Sequence, residues 1–324
     1  MRFLGKNFKN VKFFYYLKNY LLLIIPNFFF RKSLEKRLSI FSKNEIDNLI
    51  ERVNYYNKID SEVNVDSTWS KLSDLKIEKK GKTYFFDAYS ISRNFSPKYK
   101  CNFLFGDIDY VPNKPSFVKS RPINNSQNSI LLKLNKVRHF QYVVDNIKLE
   151  NKADTLYGRA AVFQKQRIDF YKKYFNHPMC DLGQINQGTN HDQWVKKKAS
   201  LDTHLKHKFI LCIEGNDVAS NLKWVMSSNS VAVMPKPKYE SWFMEGKLIP
   251  DYHYILIKDD YSDLEEKLKF YIKNTEKLQQ ISINANNYVD QFRDYNDEKI
   301  ISLLVMEKFF CLTNQKKSLI DFRS

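Results

Sequence analysis

The stretch from Lys208 to Lys258 constrains the fold more than any other. An apolar run, Phe209–Ile213, meets a polar turn, Glu214-Gly215-Asn216-Asp217. A helix-like segment follows at Val218–Ser228, and then a second apolar run, Val231–Met234, closed by Pro235. Strand, turn, helix and strand in so short a span form a βαβ unit, which requires a parallel sheet and a right-handed crossover. Such sheets bind ligands beyond the carboxyl ends of their strands, so the Glu214–Asp217 turn is the first place to look for function.

A chain of 324 residues exceeds the usual size of one core, and two domains are expected. Charged residues make up 27% of it, too many for a polytopic membrane protein. The four cysteines (Cys101, Cys180, Cys212 and Cys311) are far apart, with no CxxC pair. With no signal-peptide pattern, that spacing suits a reducing compartment and argues against a disulfide scaffold or a zinc site.

The net charge of +17 asks for an anionic partner. Nucleic acid is one candidate, but the basic residues are spread along the chain and no helix-turn-helix, finger or RNP-like motif is present. A nucleotide sugar, a phosphorylated acceptor or an anionic membrane surface fits equally well, and the partners expected are these, with no nucleic acid. Residues 1–40 read as a basic, aromatic membrane-surface leader. They hold nine Lys/Arg (Arg2, Lys6, Lys9, Lys12, Lys18, Arg31, Lys32, Lys36, Arg37) against one acid, Glu35. Ten aromatics fall in the first thirty residues. The apolar run Tyr20–Ile25 stops at Pro26, well short of the ~20 residues that span a bilayer. Cations and aromatics without a span describe an interfacial anchor. The plainer alternative is a solvated basic face with its aromatics in the core.

Further along, Phe41–Asn57 has helical spacing, while Lys82–Tyr89, Asn102–Phe105 and Asn128–Leu134 read as strands. Asp154–Tyr157 reads as a short strand ending in a turn at Gly158-Arg159-Ala160, and Gln164–Tyr174 as a helix ended by His177-Pro178. Asp263–Phe310 is long, amphipathic and helical. The expected division is an acceptor-side domain at 41–150, a donor domain at 151–295 and a C-terminal helical segment at 296–324.

Several side-chain groups could carry chemistry. Asp107-Ile108-Asp109 follows a strand and Gly106; such a pair can hold a divalent cation, or supply a general base, or simply cap a strand end. Arg159, in its expected turn, could grip a diphosphate or be a surface arginine. Ser220, Asn221 and Lys223 begin the helix of the βαβ unit and suit a phosphate, although Asp217 at the expected N-cap would compete for the same N–H groups. Tyr239, Trp242 and Phe243 could wall a base or sugar, with Glu240 on ribose hydroxyls, or could be loop packing. The histidines show no metal spacing, and no Walker loop, GxGxxG turn or Ser/Cys nucleophile motif occurs.

The motifs Gly-Asp-Ile-Asp-Tyr-Val-Pro (106–112), Ser-Phe-Val-Lys-Ser-Arg-Pro-Ile (116–123) and Asn-His-Pro-Met-Cys-Asp-Leu-Gly (176–183) occur in order before the 208–258 stretch. Together they resemble glycosyltransferase family 90, in particular its bacterial, lipopolysaccharide core-modifying branch. The resemblance covers roughly residues 80 to 295. It implies an α/β, GT-B-like architecture: two Rossmann-like domains with parallel sheets facing a cleft, and a C-terminal helix returning to the first domain. It implies inverting, metal-independent transfer from a UDP-sugar to a lipopolysaccharide core, at the cytoplasmic face of the inner membrane and without a cofactor. Matched by motif, the base falls on Asp107, with Asp109 as fallback. The donor-site arginine falls on Arg159 beside Gly158, although the Gly-Arg order departs from the Arg-Gly order of bacterial relatives. Glu214, Gly215, Ser220, Asn221, Lys223, Tyr239 and Glu240 fall on the donor side, and Lys119 and Arg121 on the acceptor side. Two other readings compete: a metal-dependent GT-A-like transferase using Asp107 and Asp109, and a non-catalytic basic protein that binds membranes or nucleic acid.

Overall fold

The computed structural model describes residues 8–31, 38–39, 42–78, 81–124, 126–318, 320 and 322. Of the leader, Arg2, Lys6, Lys32, Glu35, Lys36 and Arg37 lie outside the described residues. The chain divides into two compact units. The first comprises Lys6–Arg138, Tyr239–Phe243 and Phe292–Ser324, and the second His139–Lys238 and Met244–Gln291.

The first unit begins with the helices α1 (Phe8–Ile24), α2 (Lys43–Tyr56) and α3 (Lys82–Ser92). Helix α2 starts where a capping box dictates: the Ser42 N–H donates to Glu45 Oε2 at 2.8 Å, and the Glu45 N–H returns to the Ser42 hydroxyl. Helix α3 corrects the strand expected at Lys82–Tyr89. Tyr84, Phe85, Phe86, Asp87, Ala88 and Ile91 are all buried, so burial on nearly every side erases the helical period and leaves an aromatic run that mimics a strand. Strands β1 (Phe103–Leu104), β2 (Ser116–Val118) and β4 (Ser129–Leu131) form a small parallel sheet with β2 in the centre. Strand β3 (Ser120–Pro122) pairs antiparallel with β9 (Tyr239–Ser241), placing Arg121 directly opposite Glu240.

The last helix of this unit, α8 (Tyr295–Leu312), starts at an Asp294 cap that accepts from the N–H groups of Asn296 and Asp297. It packs against α2 and α3 and is buried around its circumference, with Ile301, Leu304, Val305 and Phe309 fully so. Its one deeply buried carboxylate near the start, Glu298, accepts from Arg52 (2.6 Å), Lys133 (2.5 Å) and the Trp242 indole (2.6 Å). A buried charge persists only with such partners.

The second unit is a doubly wound parallel sheet. Strands β5 (Ala153–Ala160), β6 (Cys180–Gln184), β7 (His207–Leu211), β8 (Val231–Met234) and β10 (Ile255–Leu256) lie in the order β10-β8-β7-β5-β6, every neighbouring pair parallel. The helix α4 (Lys165–Tyr174) links β5 to β6, and the short α5 (Leu222–Met226) links β7 to β8. Leu156, Leu182, Phe209, Val231, Val233 and Ile255 form the core, the apolar strand runs expected of a sheet covered on both faces. The stretch expected to be helical over 263–310 is so, as three helices: α6 (Leu264–Lys273) and α7 (Thr275–Asp290) here, and α8 in the first unit.

Candidate functional site

The strand order of the second unit points to a candidate site. Numbered by sequence, the five strands run 2-1-3-4-5, so the chain reverses direction of growth between β5 and β7. Loops leaving the carboxyl ends of those two strands border the crevice where doubly wound sheets bind ligands. Those loops are 161–164 and 212–221, the second carrying the polar turn of the βαβ unit.

Arg167, from the first turn of α4, ties the two loops together. Its guanidinium donates to Ala161 O (2.9 Å), Ile213 O (2.9 Å) and Glu214 O (3.1 Å). Gln166 donates to Gly215 O at 2.7 Å and Gln164 to Asn216 Oδ1 at 3.0 Å. Within the turn, the Gly215 N–H donates to Asp217 O, and the Glu214 carboxylate accepts from the Lys238 N–H. Glu214, Gly215, Ser220 and Asn221 stay partly open, whereas Asp217 is buried. Phe163, on the other loop, is 60% exposed and offers its ring at the mouth of the same crevice. Arg167, Gln166 and Phe163 escape the sequence reading because their role depends on which strands become neighbours.

Other donor-side residues are placed differently from their sequence reading. Asn221, not Asp217, is the N-cap of α5, and its amide donates to Leu211 O at 2.9 Å. With five residues, α5 is too short to offer a strong helix field. Lys223 is completely buried and ion-paired with Glu245, itself 2% exposed. Gly158 and Arg159 sit within β5 rather than in a turn, because the strand continues to Ala160. A Cβ on Gly158 would lie 3.1 Å from Leu182 Cδ2, so that glycine serves packing.

Arg159 lies over the Tyr157 ring at 4.3 Å and pairs with Asp181 at 2.9 Å, where Lys196 also binds at 2.9 Å. Burial pushes the Asp181 carboxyl up, but the Lys196 and Arg159 bonds outweigh it and hold the group below its usual range. Tyr157 stacks in turn on His207, at 4.3 Å and 20°. Burial holds both His204 and His207 below the ordinary histidine range. An open groove of about 480 Å³, lined by Lys165, Gln166, Asp169, Lys172, Lys173, Asp259, Asp260 and Tyr261, also belongs to this unit.

In the first unit, the parallel sheet again presents its carboxyl edge. Asp107 follows β1 across Gly106, whose φ of +118° only glycine adopts without strain. Lys119 follows the neighbouring β2 and donates to Asp107 Oδ1 at 2.6 Å. The ammonium is 2% exposed and the carboxylate 31%, so a buried cation holds an accessible anion. Asp109 is exposed, and Ile108 between them is buried, which turns the two carboxylates outward from an apolar anchor. Among the described residues, no three His, Cys, Asp or Glu side chains cluster in a way that could hold a metal ion.

Arg121 and Glu240 form a fully buried pair at 2.8 Å. Arg121 also donates to Tyr55 O, Tyr56 O and Ser129 O, and Glu240 accepts from the Tyr55 hydroxyl. Neither side chain therefore faces solvent. The aromatic wall read at 239–243 is corrected in part: Trp242 and Phe243 are wholly buried, Trp242 stacked on Tyr56 at 3.8 Å, and only Tyr239 is half-open.

Comparison with known proteins adds three findings. The glycosyl transferase family 90 model matches residues 142–301. The O-glucosyltransferase LpsA of Dichelobacter nodosus is 36% identical over 302 residues, covering 92% of this chain and 95% of its own length. The uncharacterized protein 179R of Invertebrate iridescent virus 6 is 30% identical over 119 residues, 34% of this chain and 10% of that one.

Proposed function

The chain belongs to glycosyl transferase family 90 and is a glycosyltransferase; on that premise, we propose that it is an inverting, UDP-sugar-dependent hexosyl- or pentosyltransferase. Its acceptor in this reading is a saccharide hydroxyl of a lipopolysaccharide or lipooligosaccharide core, reached from the cytoplasmic face of the inner membrane. No helix among the described residues is long and apolar enough to cross a membrane, and a peripheral placement is part of the proposal. So are the GT-B architecture and the absence of any metal requirement. What carries the reading is the near full-length likeness to a protein named as an O-glucosyltransferase, which makes glucose the first sugar to test.

The reaction is a single displacement. Asp107 takes the proton of the acceptor hydroxyl, whose oxygen attacks the anomeric carbon from the face opposite the nucleotide. The bond from that carbon to the diphosphate oxygen breaks, and UDP leaves with the electron pair. Lys119 orients the base through its 2.6 Å bond. A cation committed to Asp107 favours the base role over metal bridging, with exposed Asp109 as the fallback. On the donor side, Glu214, Gly215, Ser220 and Asn221 line the loop that would receive the nucleotide, and Phe163 or Tyr239 would stack on its base or sugar. Arg159 and Lys223 can reach a diphosphate only by exchanging Asp181 and Glu245 for it. Arg121 and Glu240 support the acceptor side as scaffold.

Thermal stabilisation by a panel of UDP-sugars tests the proposal. A donor at 100 times its dissociation constant adds about 2.7 kcal/mol to stability. UDP-glucose is expected to raise the melting temperature, with and without a chelator. No shift with any nucleotide sugar contradicts the reading.

A further inference from the structure

Helix α1 is apolar on two faces, and only one of them is covered. The inner face is fixed to α3: the Tyr15 hydroxyl donates to Asp87 Oδ1 at 2.9 Å, and the Tyr15 and Tyr16 rings meet Phe86 edge-on. The far end is fixed too, since the Arg93 guanidinium donates to Leu22 O at 2.8 Å and to Asn27 Oδ1 at 3.0 Å. Phe13, Phe14, Leu17, Leu21 and Ile24 face away from these contacts and are 45–79% exposed. At about 100° per residue they form one stripe about 100° wide. Past Pro26, Phe28 and Phe29 extend it, both at least 60% exposed. A continuous run of large exposed apolar side chains on a firmly docked helix marks a surface that something covers.

We propose that this outer stripe is a docking surface for an anionic lipid bilayer, with α1 lying flat in the interface. Charge selects that occupant. Lys12, Lys18 and Arg31 are exposed along the same segment, and no carboxylate occurs in residues 1–34. Cations beside an apolar, aromatic stripe match a layer of anionic headgroups over acyl chains. A second copy of the chain is a poorer match, because it would bring its own +17 charge to the same face. The 17 residues of α1 extend about 25 Å, short of the roughly 30 Å hydrocarbon core, so the helix lies on the bilayer rather than across it. The inference deepens the peripheral placement proposed above, yet its test requires no sugar transfer, so either can fail alone.

The test is co-sedimentation of the full chain with vesicles of phosphatidylethanolamine and phosphatidylglycerol, against vesicles of phosphatidylcholine alone. Binding to the anionic vesicles is expected, weaker on neutral ones and weakened by salt. Leu17→Glu with Leu21→Glu should lower it at least about tenfold, since both side chains leave the acyl boundary. Both positions are exposed, so an unchanged melting temperature is expected and confirms that the variant folds. As a second readout, Phe14→Trp should show a blue-shifted emission only with anionic vesicles. No binding by the wild-type chain, or equal binding by the double variant, overturns the proposal. A dimer in light scattering that the double variant abolishes also overturns it, making the stripe a self-interface.

Discussion

Replacing Glu240 with glutamine separates a scaffold role from a ligand contact. In the native structure Arg121 Nε donates to Glu240 Oε1 at 2.8 Å, and the remaining guanidinium nitrogens serve three main-chain carbonyls. The two side chains are 0% and 1% exposed. Glutamine keeps the shape and an acceptor but removes the charge, so the bonds from Arg121 and from the Tyr55 hydroxyl lose their charge assistance. A hydrogen bond to a charged group contributes about 1.5–3 kcal/mol and a neutral one about 0.5–1.5, which puts the cost of Glu240→Gln at about 1–3 kcal/mol. Arg121→Met is harsher. It leaves a buried carboxylate with only the Tyr55 hydroxyl and a half-exposed Lys58 at 3.9 Å, and removes the donor to three carbonyls. Breaking a buried pair in this way costs about 3–5 kcal/mol. The double variant Arg121→Met with Glu240→Leu should cost less than Arg121→Met alone, because no buried charge is stranded. Calorimetric melting orders the three variants, and donor KM of the folded protein is measured beside it. An unchanged melting temperature for Glu240→Gln, with donor KM raised about tenfold, would refute the scaffold reading and make Glu240 a ribose contact.

Two further outcomes test the structure. Gly183→Ala should destabilise by about 1–3 kcal/mol, read as a lower melting temperature, because the added Cβ would lie 2.7 Å from Lys196 Cβ and 2.8 Å from Arg159 Cδ; an unaltered temperature would mean that the Arg159–Asp181 arrangement is wrong. Lys308 is buried against Asn54 Oδ1 and Asn57 O, and that burial lowers its pKa to about 8. The unfolded chain then holds the extra proton from about pH 8 upward, so folding stability rises with pH there, by up to about 1.4 kcal/mol per unit. Above about pH 10 the buried Tyr171 and Tyr261, pushed up to about 12, act in the opposite sense. Lys308→Met should flatten the rise between pH 8 and 10 in urea titrations, and an unchanged slope would exclude Lys308 as its source.

The α/β class and the βαβ unit are legible in the sequence because β7 and β8 are buried on both faces and read as unbroken apolar runs. The same logic misleads at Lys82–Tyr89, where a helix buried all round shows no period. It also misleads at Gly158-Arg159, where a glycine that permits close packing of β5 reads as a turn. Charged residues are the least legible. Lys223 looks like a phosphate contact until Glu245, more than twenty residues on, is seen to neutralise it, and Arg121 meets Glu240 only through the pairing of β3 with β9. Asp107 was recognisable from its motif, but its partner Lys119 acquires a meaning only once β1 and β2 lie side by side.

The central claim, that Asp107 is the base of an inverting sugar transfer, is tested most directly by Asp107→Asn. Asparagine can keep the bond from Lys119 while losing the ability to take a proton. The expected result is a loss of transfer from the donor sugar of at least about a hundredfold, with nucleotide affinity unchanged. Turnover near that of the native chain would contradict the assignment.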